Sequence, residues 1–180
     1  MTFAFAAPAM ADGWDDAPGR SIIKPRVELR SLTDLIAEVR TANPGFTIYD
    51  VNLDYERTRW IYKISMVAAN GLDNRKITVS ALAGAPSTPS RTRNSTSDSK
   101  KLTAILALLP SATVDFPAAI TAAEALVANS KAVEINLAVR NGVLVYKVDV
   151  TGGVRTREVR VNAVTGVATL DGDDDDDNGG

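Results

Sequence analysis

A tyrosine followed directly by a lysine occurs twice in this chain, at Tyr62-Lys63 and Tyr146-Lys147. Such a couple can act as acid and base when both groups meet one substrate. Asp50, Asn52 and Asp54 place two carboxylates and an amide at alternate positions, which on a strand puts all three on one face. Near the C-terminus, Asp174-x-Asp176-x-Asn178-Gly179 satisfies the first half of a calcium-binding loop pattern. Each of these has a simpler reading. Neighbouring strand residues point to opposite faces, so Tyr62 and Tyr146 are expected in the core and Lys63 and Lys147 in solvent. Trp60 is expected in the core as well. The alternating carboxylates read as a polar sheet face. The aspartate run stops at Gly180, short of the closing bidentate acid, and a homopolymer meets such patterns trivially. It is expected to be a solvated tail.

The chain has no histidine and no cysteine. Imidazole bases, thiol nucleophiles, disulfides and the commonest zinc and haem ligands are therefore excluded. Serine and threonine are abundant, but a nucleophile among them would need a buried lysine as base, and no spacing marks one. No glycine loop for phosphate is present; Gly152-Gly153 reads as a turn. No catalytic, cofactor-binding or metal-ligating residue is assigned. The chain is expected to need no cofactor and to be no enzyme.

Of the 22 acidic residues, six lie in the last ten positions, leaving 16 against 20 Lys and Arg, so the rest of the chain carries about +4. That excess is spread out rather than striped, which argues against nucleic acid as partner. No apolar run reaches the roughly 18–20 residues of a membrane-spanning helix. The first residues, Met1-Thr-Phe-Ala-Phe-Ala-Ala-Pro-Ala-Met-Ala11, are small and apolar, and Ala9-Met10-Ala11 has the form of a signal-peptidase site. Residues 1–11 are read as the remnant of a signal peptide, and the protein as exported to the periplasm, cell envelope or medium.

The stretch from Pro86 to Lys100 contains no large apolar residue and is expected to be a disordered linker. Its Asn94-Ser95-Thr96 matches a glycosylation acceptor, a triplet that serine-rich segments produce easily. The blocks on either side repeat. At an offset of 84, Asn52-Leu53 falls on Asn136-Leu137 and Tyr62-Lys63 on Tyr146-Lys147; at an offset of 82, Val79, Ala81 and Gly84 fall on Val161, Ala163 and Gly166.

In the first block, Ser31 and Asp34 form a helix start, Leu32, Leu35, Ile36 and Val39 an apolar stripe, and Asn43-Pro44-Gly45 a stop. Alternation follows at Tyr49, Val51, Leu53 and Tyr55, then at Trp60, Tyr62, Ile64 and Met66, then at Ile77, Val79 and Ala81. In the second block Asp115 caps a helix carrying Ile120, Ala123 and Val127. Val133, Ile135, Leu137 and Val139 lead through the hairpin signal Asn141-Gly142 to Leu144, Tyr146, Val148 and Val150, then to Val159, Val161 and Ala163. The fold class is α+β: two repeats, each one helix packed on a three-stranded antiparallel β-meander. The divisions are a leader at 1–11, an N-terminal segment at 12–30 and repeat 1 at 31–85. The linker at 86–100 and a bridging helix at 101–112 follow, then repeat 2 at 113–170 and an acidic disordered tail at 171–180. Each repeat spans just over fifty residues, marginal alone, so the two are expected to pack together or to dimerise.

The pattern resembles the PepSY domain. The likeness rests on Ala42-Asn43-Pro44-Gly45, Asp50-Val51-Asn52-Leu53-Asp54 and Trp60-Ile61-Tyr62-Lys63-Ile64. In the second copy it rests on Tyr146-Lys147-Val148-Asp149-Val150 and Val161-Asn162-Ala163-Val164-Thr165-Gly166. The last run is similar to the family's V-D-A-x-T-G strand end, with Asn162 in place of the usual Asp; Val79-Ser80-Ala81-Leu82-Ala83-Gly84 matches it less well. The two copies cover about 100 of the 180 residues. The resemblance implies a non-catalytic module of exported proteins that binds another protein and restrains peptidase activity, with no catalytic residue to carry over. The alternative expectation is an envelope protein that holds a small molecule or a cation in a cleft between the repeats.

Overall fold

A computed structural model describes residues 28–71, 73–85, 89, 91–94, 99–152 and 155–171. The leader, most of the N-terminal segment, the Asn94-Ser95-Thr96 acceptor beyond Asn94 and the Asp174–Gly179 run lie outside the described residues.

Helix α1 (Leu32–Ala42) starts where the Ser31 hydroxyl accepts from the Asp34 N–H at 3.3 Å, and it buries Leu32, Leu35, Ile36 and Val39. Its end is sealed by the Asn43 amide donating to the Val39 carbonyl, and Gly45 takes the left-handed backbone that the exit requires. Helix α3 (Phe116–Leu126) is built alike. Asp115 accepts from the Ala118 N–H at 2.9 Å, and Phe116, Ala119, Ile120 and Ala123 are buried. Cap, helix bounds and buried stripe are each displaced by 84 residues from those of α1.

The strands are β1 (Phe46–Glu56), β2 (Arg59–Ala68), β3 (Asn74–Ser80), β4 (Arg91–Asn94), β5 (Lys131–Arg140), β6 (Val143–Gly152), β7 (Arg155–Asn162) and β8 (Ala168–Leu170). They form one antiparallel sheet in the order β4-β3-β2-β1-β5-β6-β7-β8. The hairpins share a register: Val51 lies opposite Ile64 in the first, and Ile135 opposite Val148 in the second. Both also slip by one residue at the same place, at Tyr49 and at Val133, which lie 84 residues apart. The third strands follow at an offset of 82, with Ile77 opposite Ile64 and Val159 opposite Val148. At the centre β1 pairs with β5, and Val51 faces Ile135. The residues that correspond at an offset of 84 thus meet across the join, which is what a local two-fold axis between the halves produces.

One sheet face carries Val51, Leu53, Tyr62, Ile64, Ile77 and Val79 from the first half, and Ile135, Leu137, Tyr146, Val148, Val159 and Val161 from the second. All are buried, with α1 and α3 packed over them. The expected α+β class and antiparallel strands are present. Several details differ. Segment 86–100, read as a disordered linker, supplies β4, which pairs with β3, and the first residues of α2 (Ser99–Leu108). A ladder needs backbone donors and acceptors rather than apolar side chains, so composition did not reveal it. Among the described residues each half accordingly holds four strands, not three, and all eight lie in one sheet. The bulges also break the expected alternation, so Tyr49 and Val133 do not share a row with Val51 and Ile135. Asp171, assigned to the disordered tail, donates its N–H to the Glu158 carbonyl at 2.9 Å.

Where a bridging helix is expected at 101–112, α2 spans Ser99–Leu108 and is followed by a 3-10 turn (Leu109–Ser111). It packs on β5 and β6, buries Leu102 and Ile105, and brings Lys100, Lys101 and Ala104 beside Asp50, Asn136 and Lys147 of the polar face. The sheet is therefore covered on its second side over β5 and β6, and Ser65 and Val67 are buried on the polar side of β2.

Because the central join makes one core of the two halves, chemical denaturation is expected to show a single transition. Ile135→Ala should lower stability by about 2–5 kcal/mol, as loss of a buried aliphatic group does. Two separable transitions would show that the join does not couple the halves.

Candidate functional site

The polar sheet face is assembled from cross-strand rows. Asp50 lies opposite Ser65 and then Lys76, and Asn52 lies opposite Lys63 and then Thr78. In the second half Glu134 lies opposite Asp149 and then Glu158, and Asn136 opposite Lys147 and then Arg160. The carboxylates expected to face water are tied down. Asp50 accepts from the Asn52 amide at 2.7 Å and from the Ser65 hydroxyl at 3.2 Å. Lys63 forms ion pairs with Asp54 and Glu56. Their hydrogen bonds, to Asp54 first, hold the Lys63 ammonium above its usual pKa.

Lys147, the counterpart of Lys63, leans the other way and pairs with Glu158 at 2.7 Å, while Arg160 pairs with Asp171. Glu134 accepts from the Leu53 N–H at 3.2 Å across the central join. Asp149 stands between Glu134 and Glu158. Burial pushes its carboxyl above the ordinary aspartate range, and only the charge of Lys147 opposes this.

The two Tyr-Lys pairs divide between faces. Tyr62 and Tyr146 are 0% and 2% exposed in the core, and their lysines lie on the polar side. No acid–base couple forms from either pair, because the sheet lies between the two groups. The tyrosines themselves differ. Tyr146 donates its hydroxyl to the Val114 carbonyl at 2.7 Å and stacks edge-on against Phe116, whereas the Tyr62 hydroxyl is buried with no partner among the described residues. Burial raises both phenols, Tyr146 to about 12. Trp60 is half-buried, packs against the core and meets Tyr55 with ring centres 5.0 Å apart.

Two of the cavities that border this framework exceed 600 Å³. One, of about 640 Å³, lies between α2 and the polar face. The other, of about 620 Å³, lies between the start of α1 and the second half, with Arg30, Leu32, Ile120, Lys131 and Val133 among its walls. Arg30 there is 9% exposed and pairs with Glu38 at 2.7 Å. Among the described residues no cluster of three acidic side chains could hold a metal ion, and no single helix is long and apolar enough to cross a membrane. Sequence reasoning missed Lys100, Lys101, Arg140 and the row Glu134-Asp149-Glu158. The row could have been found from the alternation of β5 to β7 once their order was known. The α2 lysines could not, since only tertiary packing brings them to the sheet.

Residues 118–169, from α3 into β8, match the PepSY family model, described as "Peptidase propeptide and YPEB domain". The match spans 52 of the 180 residues and lies within the second half of the chain. A crystal structure from Clostridium difficile 630, described as that of a "putative lipoprotein", is similar at 17% identity and a TM-score of 0.46, over 83% of this chain and 95% of that one. A search of curated proteins finds no match.

Two measurements check this description. Tyr146→Phe should cost about 0.5–1.5 kcal/mol for its lost hydrogen bond, while Tyr62→Phe should be neutral or stabilising, because its hydroxyl is buried unpaired. Equal losses in denaturant titrations would contradict the difference. For Asp149, a folded-state pKa above the unfolded value means that stability is fully present below the unfolded pKa and falls as pH rises through the folded pKa. Asp149→Asn should therefore stabilise the fold near neutral pH and lose this advantage in acid below the ordinary aspartate range.

Proposed function

We propose that this chain is an exported, non-catalytic protein-binding module made of two copies of one PepSY-type unit, and that it restrains a secreted or envelope peptidase. One observation carries the reading. The half that matches the family model is repeated in the other half, in helix cap, buried stripe, bulge and hairpin register, at one constant offset. The backbone agrees in detail. The left-handed residues Arg57 and Thr58 at the first hairpin tip correspond to Asn141 and Gly142 at the second, and Gly84 corresponds to Gly166.

The absence of catalysis is supported by the residues that chemistry would need. The Tyr-Lys pairs are split by the sheet, and Asp50, Asp54, Glu56 and Glu158 are engaged in hydrogen bonds and ion pairs. What the polar face offers instead, where α2 leaves it open, is a charged surface of the kind that protein recognition uses.

The reading is tested by incubating the purified chain with secreted peptidases, recovering bound protein and measuring turnover. Capture of a peptidase with reduced activity is expected. No bound protein together with undiminished turnover would count against it. N-terminal sequencing of protein from its native host should begin at Asp12; a chain that retains residues 1–11 would remove the argument for export.

A further inference from the structure

We infer that the tip of the β1–β2 hairpin, from Tyr55 to Trp60, is the element that enters an acid-lined cleft of the partner protein. The assignment rests on the protein-binding reading above and gives the partner its chemistry. It starts from the backbone. Among the described residues, those other than glycine with positive φ are Arg57 at 47°, Thr58 at 69°, Asn129 and Asn141. Two of these are asparagines, which tolerate the left-handed region. Arg57 is not of that type, and Thr58 is β-branched, for which the region is most costly. The second hairpin makes the corresponding turn on Asn141-Gly142, the pair this turn favours, with φ of 49° and 77°. The first hairpin closes in the same register with neither residue. A strained pair held at an exposed tip marks side chains kept for something other than the turn.

What the tip presents is the chemistry of a protein contact. Arg57 and Arg59 are exposed, and among the described residues neither side chain has a hydrogen bond or an ion pair. The acids beside them, Asp54 and Glu56, are instead paired with Lys63. Tyr55 is 42% exposed and leans on Trp60, which ties this aromatic shoulder to the core. Tyrosine, tryptophan and arginine are the residue types that dominate binding energy at protein interfaces. The second tip lacks them at these places. Val139, Asn141, Val143 and Leu144 stand 84 residues on from Tyr55, Arg57, Arg59 and Trp60. Two guanidiniums at one point call for carboxylates on the partner. A nucleic acid strand would instead need cations that follow successive phosphates and open ring faces for its bases, and Trp60 is packed against Tyr55 and the core.

Two experiments on the full chain test the assignment. Arg57→Asn/Thr58→Gly, which installs the second hairpin's pair, should raise Tm by about 2–4 °C by relieving the turn. A Tm that is unchanged or lower overturns the inference. The probe for the acidic cleft is an end-blocked peptide of four glutamates around one phenylalanine, titrated at low salt while backbone amide resonances are followed. Shifts centred on the tip are expected, and they should fade as salt is raised. Arg57→Gln/Arg59→Gln should weaken binding by about tenfold or more, and Arg57→Asn/Thr58→Gly should weaken it while stabilising the fold. Arg157→Gln, on an exposed residue of β7, should leave it unchanged. No shift at the tip, or equal weakening by Arg157→Gln, overturns the assignment. So does tighter, equally arginine-dependent binding of single-stranded DNA of matched charge. The broader reading fails separately. A captured peptidase that binds Arg57→Gln/Arg59→Gln undiminished refutes the tip and leaves the protein-binding module standing, whereas peptide binding at the tip with no peptidase captured does the reverse.

Discussion

The pairing of β1 with β5 is the contact on which the rest of the molecule depends. Each is the first strand of its meander, and each would otherwise present a row of unpaired backbone groups along one side. Only a short stretch of rungs joins them, centred on Val51 and Ile135, both fully buried. That stretch aligns two half-sheets so that their apolar faces are continuous. α1 and α3 can then touch each other over a shared core, instead of each covering a patch too small to be stable. It also places Asp50 next to Asn136, and so brings both halves to the floor of the α2 cleft.

Much of this was legible in the residues. The helix stripes, the caps at Ser31 and Asp115 and the Asn141-Gly142 turn are local signals whose cause lies within a few residues, and the structure has each of them. The bulges were not legible, because Tyr49 and Val133 are themselves apolar and buried, so the hydrophobic pattern continues through the slip that redirects it. β4 was missed because its residues, Arg-Thr-Arg-Asn, have no apolar side chain and are held through the backbone of β3. The candidate site was legible only in part. Asp50 and Lys147 could be placed on a polar face from alternation, but that a helix covers the face, and which one, depends on packing between segments far apart in sequence.

The two halves share a backbone plan and differ in what their polar residues do. Lys63 turns towards β1 and is held by Asp54 and Glu56, while Lys147 turns towards β7 and Glu158. One hydroxyl of the corresponding tyrosines is bonded and the other is stranded. Such differences leave the hydrophobic face intact, because polar substitutions on the far side of a sheet do not disturb its packing. A repeated scaffold can in this way keep one architecture while its two halves differ in their polar contacts.

The outermost strands have a further consequence. β4 has four residues and β8 three, so each rim of the sheet is a very brief template for a foreign strand. Nucleating cross-molecular β-structure needs a longer flat edge, and the long strands here are all interior. A protein arranged this way offers only a brief edge at each rim for a foreign strand to pair with.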